Sequence, residues 1–292
     1  MPPKKPVDFS LPRRIQRGYE QGIRSIVGRV LTPKMPEQSL DDWLAALAEK
    51  SRAKDIQDAS ELLASRMVKW CNVSNAKTWR EAAARSTQPR KLYLLLQQEL
   101  QGTATGARVS EIIRANANYI SSLALEQAQV LTDEVNRAQQ SGARPGTISK
   151  MMRTRYPELL RSRVHLIART ETAKASSALT EARAMDIGAE WYIWETSQDG
   201  DRVRTSHQMM QGVLCRWSDP PAPDIMFPPK TKHGHVAPSK LGHYNVGNCP
   251  NCRCVPIVVL SLDDVHFPAK VYHGGAIKMM NEPQFRATFA NA

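Results

Sequence analysis

The stretch NVGNCPNCRC, residues 245–254, contains three of the chain's five cysteines. Cysteine sulfur and histidine nitrogen bind zinc at about 2.0–2.3 Å, and a structural zinc site uses four such ligands in a tetrahedron. Cys249, Cys252 and Cys254 form a C-x-x-C-x-C array, so a fourth ligand must come from elsewhere. His243 is the local candidate. The alternative is a compact turn with buried free thiols, which behave as small hydrophobic groups.

The spacing of Cys252 and Cys254 also limits what they can do. Alternate residues of an extended strand point to the same face, so these two thiols share a face and Arg253 points to the other. This geometry suits two thiols in one metal site, and it equally suits two thiols in one core. Cys215 is near enough in sequence to be a spare ligand, whereas Cys71 is expected in a helical core.

The composition of the chain predicts a soluble globular protein. Its 292 residues suffice for one large domain or two ordinary ones, and 41% of them are hydrophobic. The longest uncharged apolar run, residues 254–262, is far too short to span a membrane, and no signal-peptide pattern is visible. We therefore expect no membrane contact and synthesis in a reducing cytosol, where clustered Cys and His are metal ligands or free thiols.

The chain is strongly basic, with 40 Lys and Arg against 28 Asp and Glu and a net charge of +12. Such an excess suits contact with a polyanion or an acidic protein surface, although a solvated surface of mixed charge would also explain it. Residues 1–37 are the most basic segment per residue. The candidate polyanion-binding residues are Arg13, Arg14 and Arg17 in this segment, and Lys150, Arg153, Arg155, Arg161 and Arg163 in a second cluster.

Four regions are predicted along the chain. They are a basic N-terminal arm at 1–37, a helical region at 38–160, a compact domain at 161–262 and a C-terminal tail at 263–292. Apolar residues from Ile15 to Val30 recur at helical spacing and predict an amphipathic helix in the arm. The predicted fold class is α+β, with a mostly helical N-terminal region followed by a small α+β domain.

The periodicity changes near residue 188. A long helix is predicted after the flexible break at 102–107, and a further helix from about 157 to 187 with Gly188 just past its end. EWYIWET then predicts a strand, and VRTSHQMMQG a short helix that Gly212 ends. After a long proline-rich loop, CRCVPIVVLSL predicts a second strand, in which Pro256 favours an edge position.

Four motifs in this order resemble the head morphogenesis family of tailed bacteriophages, the Mu F-like minor head proteins. That family has an ARTE helix, a Trp-containing strand, an Asp-containing turn that leads into R-x-x-H, and a CRC strand after a proline-rich loop. The matching residues here are Ala168–Glu171, Trp194, Asp201 with Arg204 and His207, and Cys252–Cys254. The resemblance covers roughly residues 161–262, about a third of the chain.

The resemblance implies a ligand set. The family pattern pairs the histidine with the CRC strand, which makes His207 a candidate ligand beside Cys252 and Cys254. Cys249 lies outside the shared pattern and is the candidate fourth ligand. Zinc is the candidate metal, and four protein ligands would make the site structural because no position stays open for a reactive water.

Charged residues near the motifs are interpreted as structural. Asp201 and Arg204 are expected to pair across the turn, and Arg169 with Glu171 to form a buried pair that locks helix to strand. No catalytic residue is predicted. The alternative is that aspartates near His207 perform acid–base chemistry or hold a hydrolytic metal.

The resemblance implies a minor capsid protein that acts in head morphogenesis at or near the portal, and in genome packaging or delivery. Its expected location is inside the head near the portal, after assembly in the host cytoplasm. The expected partners are the portal protein, the major capsid or scaffold protein, and packaged DNA bound without sequence preference. The alternative is an enzyme: a zinc-supported nuclease or other hydrolase acting on DNA. No second histidine at a convincing spacing from His207, P-loop or nucleophile motif supports that alternative.

Overall fold

The computed structural model describes residues 7–31, 40–85, 104–198, 203–228 and 241–289. The chain divides into two compact units, each assembled from separate stretches of sequence. A helical unit combines Pro12–Trp70 with Val109–Thr172. The other unit, which contains the cysteine-rich stretch, combines Met1–Leu11, Cys71–Arg108 and Ala173–Ala292. Helices and strands are numbered here in chain order.

The N-terminal part of the chain is helical, as the sequence predicted. Its helices are α1 Arg13–Val30, α2 Leu40–Arg52, α3 Lys54–Arg85, α4 Ala104–Gln140 and α5 Pro145–Asp186. Together with the sheet described below they confirm the α+β class. None of the described helices is both long and apolar enough to cross a membrane.

The apolar faces of these helices form the core of the helical unit. In α1 the predicted stripe from Ile15 to Val30 is buried, which confirms the amphipathic helix. The hydroxyl of Tyr19 donates a hydrogen bond to Asn116 Oδ1 at 2.7 Å and so fixes α1 on α4. Trp43 packs edge-on against Tyr156, with ring centroids 5.0 Å apart. Aromatic packing and a few buried hydrogen bonds therefore set how the helices of this unit pack.

Helix α5 begins earlier than predicted. It starts at Pro145 and continues through Pro157, where the sequence had suggested a new helix. Proline suits the first turn because its missing N–H has no intrahelical partner there, whereas Pro157 removes one hydrogen bond inside the helix. Burial of Tyr156 and Leu160 on either side offsets that loss. The predicted end is confirmed, since Gly188 adopts a positive φ of 76°.

The described strands form one five-stranded sheet of mixed direction, in the order β3-β1-β2-β4-β5. Their bounds are β1 Trp191–Glu195, β2 Leu214–Arg216, β3 Val255–Val258, β4 Ala269–His273 and β5 Ala276–Met280. Strand β1 pairs antiparallel with both β2 and β3, and β2 pairs with β4 in parallel. The predicted strands β1 and β3 are therefore direct neighbours.

The position of β3 confirms the inference from Pro256. Strand β3 lies at the edge of the sheet, and Pro256 stands opposite Trp194 of β1. An edge strand tolerates proline because one side of it needs no ladder hydrogen bonds. The chain therefore enters β3 directly after Cys254, beside β1.

The predicted tail contains regular structure. Strands β4 and β5 form a hairpin across Gly274 and Gly275, both with positive φ, and helix α8 follows at Glu282–Phe289. Two adjacent glycines are a strong hairpin signal that the sequence reasoning missed. Phe285 of α8 packs edge-on against Trp191, with ring centroids 5.0 Å apart. The sheet therefore extends past the boundary predicted at residue 262.

Two glycines of α1 make a matched stability test. A Cβ at Gly22 would lie 2.4 Å from Leu63 Cδ1 in the packed core, whereas a Cβ at Gly28 meets nothing within 4 Å. Gly28→Ala is expected to raise the free energy of unfolding by about 0.5–1 kcal/mol. Gly22→Ala is expected to lower it, because overpacking costs about 1–3 kcal/mol and outweighs the helix gain. Chemical denaturation followed by circular dichroism measures both, and equal effects would contradict this packing of α1 on α3.

Candidate metal centre

The candidate centre lies where several short elements meet. Helix α6, Thr205–Met209, carries His207, and helix α7, Pro223–Met226, carries Asp224. The cysteines lie in the turn before β3. Trp194 of β1 packs edge-on against the His207 ring, with ring centroids 5.3 Å apart. His207 is only 2% exposed, so its ring is enclosed by these elements.

The structure brings His207, Cys252 and Cys254 together. His207 Nδ1 lies 3.5 Å from the sulfur of Cys252 and 3.5 Å from the sulfur of Cys254. A nitrogen at about 2.0–2.1 Å and a sulfur at about 2.3 Å from a tetrahedral zinc ion are separated by about 3.6 Å. All three side chains are buried. The donor atoms therefore have the spacing that a tetrahedral metal requires.

A tight turn positions the cysteines. The Cys252 N–H donates to the carbonyl of Cys249 at 3.1 Å, and Asn251 between them has a positive φ of 61°. The Cys254 N–H donates to the Cys252 sulfur at 3.3 Å. A hydrogen bond from Cys252 lowers the pKa of Cys254, while that bond and burial raise the pKa of Cys252. Cys254 is thus the first of this pair to ionise.

Cys249 belongs to a second cluster. Its sulfur groups with His207 and Asp224, whose ligand atoms all lie within 4.8 Å of one another, rather than with both other sulfurs. Burial raises the pKa of the Cys249 thiol to about 12. Three of the four predicted ligands, His207, Cys252 and Cys254, therefore form one group, and the Cys249 sulfur lies outside it.

The two competing ligands lie outside both clusters. His243 is exposed, and its Nδ1 lies 2.8 Å from the carbonyl oxygen of Pro220. Cys215 of β2 is buried in the apolar core, and burial raises the pKa of its thiol. Cys71, predicted in a helical core, is buried in α3.

A buried hydrogen-bond network fixes the His207 ring. The Tyr244 hydroxyl donates to Asp224 Oδ2 at 2.9 Å, and its oxygen lies 3.0 Å from His207 Nε2. Because the hydroxyl has one hydrogen and gives it to Asp224, Nε2 must carry the proton in the His207–Tyr244 bond. Burial raises the pKa of Tyr244, which keeps this donor protonated. The lone pair of neutral His207 is therefore on Nδ1, the nitrogen that faces the two sulfurs.

Asp224 holds this network together from a fully buried position. Ser206 donates to Asp224 Oδ1 at 2.6 Å, and Arg204 Nη1 lies 3.5 Å from Oδ2. Arg204 Nη2 also donates to the carbonyl of Pro250 at 3.1 Å, within the cysteine turn. Arg204 was predicted to pair with Asp201, which lies outside the described residues. The contacts of Arg204 are therefore with Asp224 and the Pro250 carbonyl.

The loop that carries Tyr244 is anchored to α5. Ser177 of α5 donates a hydrogen bond to the carbonyl of Val246. Gly247 has a positive φ of 86°, and a Cβ there would lie 3.0 Å from the Ser177 Cβ. Asn245 Nδ2 donates to the carbonyl of Trp217 at 3.1 Å. The part of α5 that follows the ARTE motif therefore supports the loop that carries Tyr244.

Arg169 and Glu171 were predicted to form a buried pair. Both residues lie in α5, Arg169 half-buried and Glu171 buried. Residues two apart point to different sides of a helix and do not face each other. Their mutual contact stays a prediction.

Sequence reasoning missed Asp224, Ser206 and Tyr244. They fall in or before a proline-rich stretch that was interpreted as irregular. The one available signal was Asp224 directly after Pro223, since proline and an acidic residue together favour the first turn of a helix. Nothing in the sequence signalled the long-range contact between Tyr244 and His207.

Most of the predicted basic residues are exposed in the helical unit. Arg13, Arg14, Arg17, Lys150 and Arg161 are exposed, with no carboxylate partner among the residues that the structure describes. Arg153 is exposed as well. Two others are partly neutralised. Arg155 lies 3.2 Å from Glu134, and half-buried Arg163 lies 3.9 Å from Glu126.

Comparison with known proteins agrees with the motifs. Residues 128–257 match the family described as phage Mu protein F like protein. The match begins in α4 and ends in β3, so it reaches further toward the N-terminus than the resemblance suggested. The match supports the family that the motifs suggested, whose description names phage Mu protein F.

A second match is to an uncharacterized protein of Haemophilus influenzae, which is 30% identical over 156 residues. The aligned region covers 52% of this chain but only 30% of the length of that protein. No solved structure matches the chain.

The buried Asp224 network gives a stability prediction. Asp224→Asn weakens the acceptor for Ser206, Tyr244 and Arg204 and is expected to lower the free energy of unfolding by about 1.5–3 kcal/mol. The matched control is Asp133→Asn in α4, an exposed position where a change within about 0.5 kcal/mol is expected. Denaturant unfolding measures both variants. Equal stability of the two would show that Asp224 does not hold the network.

Proposed function

We propose that this protein is a minor head protein of a tailed bacteriophage, which acts in head morphogenesis at or near the portal and in genome packaging or delivery. The observation that carries the proposal is the Mu F-like match over residues 128–257, which includes every element of the candidate centre. The proposed partners are the portal protein and the major capsid or scaffold protein. Assembly takes place in the host cytoplasm, and the final location is inside the head near the portal.

The burial of the candidate centre supports a structural role over an enzymatic one. A hydrolytic metal site needs an open position for water and access for the substrate. His207 is 2% exposed and Asp224 is fully buried, and the hydrogen bonds of both point to other protein groups. The centre thus favours a scaffold that holds short elements in place.

The charge of the chain supports contact with packaged DNA or with an acidic partner surface. The net charge is +12, and the exposed arginines of α1 lie away from its buried face. Contacts of this kind are made to phosphates, so they are independent of sequence and sensitive to salt.

Particle analysis tests the proposed role. In a phage that encodes this protein, a nonsense mutation in the gene is compared with the same mutant complemented by the intact gene. Mass spectrometry of purified complemented particles is expected to find the protein in the virion. Particles made without it are expected to lack packaged DNA or to fail to deliver it. Fully infectious particles that contain no copy of the protein would overturn the proposal.

A cleavage assay separates this role from the nuclease alternative. The purified protein is incubated with double-stranded and single-stranded DNA and a divalent metal, and His207→Ala is the comparison. We expect no cleavage by either form. Cleavage by the intact protein that His207→Ala abolishes would establish the enzyme instead.

Salt dependence tests the electrostatic contact. Arg13→Gln/Arg17→Gln removes two charges from α1 and is expected to reduce the log–log salt slope of duplex DNA binding by up to about 1.8. The charge-matched control is Lys270→Gln/Lys278→Gln on the β4–β5 hairpin, where both lysines are exposed and outside the predicted set. Fluorescence anisotropy across a salt series measures the slopes. Wild-type binding that does not weaken with salt, or equal effects of the two double variants, would contradict the assignment.

A further inference from the structure

The sulfur and nitrogen donors of Cys252, Cys254 and His207 determine which metal the site would prefer. Two thiols and one imidazole, all buried, are soft and borderline ligands that suit zinc, whereas magnesium and calcium require oxygen ligands. The 3.5 Å separations between His207 Nδ1 and both sulfurs match the edge of a zinc tetrahedron. Asp224 is the one carboxylate in the neighbouring cluster, and its oxygens accept hydrogen bonds from Ser206 and Tyr244. The donor set therefore favours zinc bound by nitrogen and sulfur.

The His207 ring is already in the form that binds a metal. His207 Nε2–H donates a hydrogen bond to the Tyr244 oxygen, and the Tyr244 hydroxyl donates one to Asp224, so Nδ1 presents a lone pair. Metal-binding histidines are commonly oriented in this way by an acceptor on the other ring nitrogen. Tyr244 and Asp224 are thus positioning residues that act on the metal through His207.

Cys249 is placed to supply the fourth ligand. Its backbone is tied to Cys252 by the hydrogen bond across the Cys-Pro-Asn-Cys turn. Its sulfur already lies within 4.8 Å of a His207 nitrogen, on the side of Asp224. To complete the site, the Cys249 side chain would turn from Asp224 toward the other two sulfurs.

A cation, Arg204, lies beside the cysteine turn, where it can balance the negative charge of a zinc-bound site. Zinc with three thiolates and one neutral imidazole carries a net charge of about −1. The Arg204 guanidinium donates to the Pro250 carbonyl inside the cysteine turn, and its side chain is 12% exposed. A buried negative site needs a nearby cation of this kind, because an unpaired buried charge is strongly unfavourable.

The elements around the centre are too short to be stable alone. Helix α6 has five residues, α7 has four and β3 has four. Isolated helices of this length do not form in water, so tertiary contacts must hold them. A metal that joins α6 to the turn before β3 supplies such a contact and couples metal binding to folding.

We propose that this protein binds one zinc ion in a structural site formed by His207 Nδ1, Cys249, Cys252 and Cys254. Tyr244 and Asp224 orient His207 from outside the ligand set. The site joins α6 to the cysteine turn and holds the start of β3 beside β1. It is independent of the head assembly role, since a scaffold of this kind would serve a protein of any activity.

Metal analysis of the full chain tests the site. Inductively coupled plasma mass spectrometry is expected to find about one zinc ion per chain after reconstitution and gel filtration. Cys252→Ala and Cys254→Ala are each expected to lose it. The matched control is Cys215→Ala, because Cys215 is also buried but belongs to neither group of possible metal ligands. A wild-type protein that retains no zinc, or a Cys252→Ala variant that retains the full amount, would overturn the proposal.

X-ray absorption at the zinc edge tests the ligand set in the wild-type protein, so it does not depend on a variant folding. We expect three sulfurs and one nitrogen at about 2.3 and 2.0–2.1 Å. Cys249→Ala is expected to replace one sulfur by a lighter atom. Two sulfurs in the wild-type protein would remove Cys249 from the site, and a ligand shell of oxygen alone would overturn the site as a whole.

Tyr244→Phe tests the positioning pair. It keeps the aromatic ring and removes the acceptor for His207 Nε2, so zinc affinity measured by chelator competition is expected to fall by about 10–100-fold. Nitrogen-15 spectra of histidine-labelled protein are expected to show Nδ1 as the metal-bound atom. The matched control is Tyr192→Phe, which removes a buried hydroxyl bonded to Asn245 in the same unit. Unchanged affinity in Tyr244→Phe, or zinc on Nε2, would overturn the role of Tyr244.

Discussion

The contact of His207 with Cys252 and Cys254 is the interaction on which the arrangement of the short elements around the candidate centre depends. It joins a five-residue helix to a turn more than 40 residues later in the chain, within a buried core that also contains Trp194 and Tyr244. The partners stand at 3.5 Å and are buried, so water cannot take their place. Trp194 of β1 packs edge-on against the His207 ring and links this contact to the sheet.

The hydrogen-bond network around His207 orients its ring so that Nδ1 faces the two sulfurs. Tyr244 and Asp224 select the tautomer, and Arg204 connects the same carboxylate to the cysteine turn. The loop that carries Tyr244 rests on α5 through Ser177. In this region α5 supports the loop that carries Tyr244, and Tyr244 orients His207. His207 in turn contacts Cys252 and Cys254.

The sequence predicted the parts of this arrangement that local periodicity and spacing encode. The apolar stripe of α1, the strand at Trp194 and the edge position of Pro256 each follow from a pattern a few residues long. The partner of Arg204 did not follow, because Asp224 is 20 residues away and only the folded loop brings them together. The start of α5, predicted near residue 157, was wrong, because buried neighbours carry the helix through Pro157.

The most direct test of the zinc site is an anomalous difference map from crystals of the purified protein, recorded on both sides of the zinc absorption edge. The account predicts one peak at about 2.0–2.1 Å from His207 Nδ1 and about 2.3 Å from the sulfurs of Cys249, Cys252 and Cys254. The absence of a peak, with Cys252 and Cys254 present as free thiols or joined in a disulfide, would contradict it.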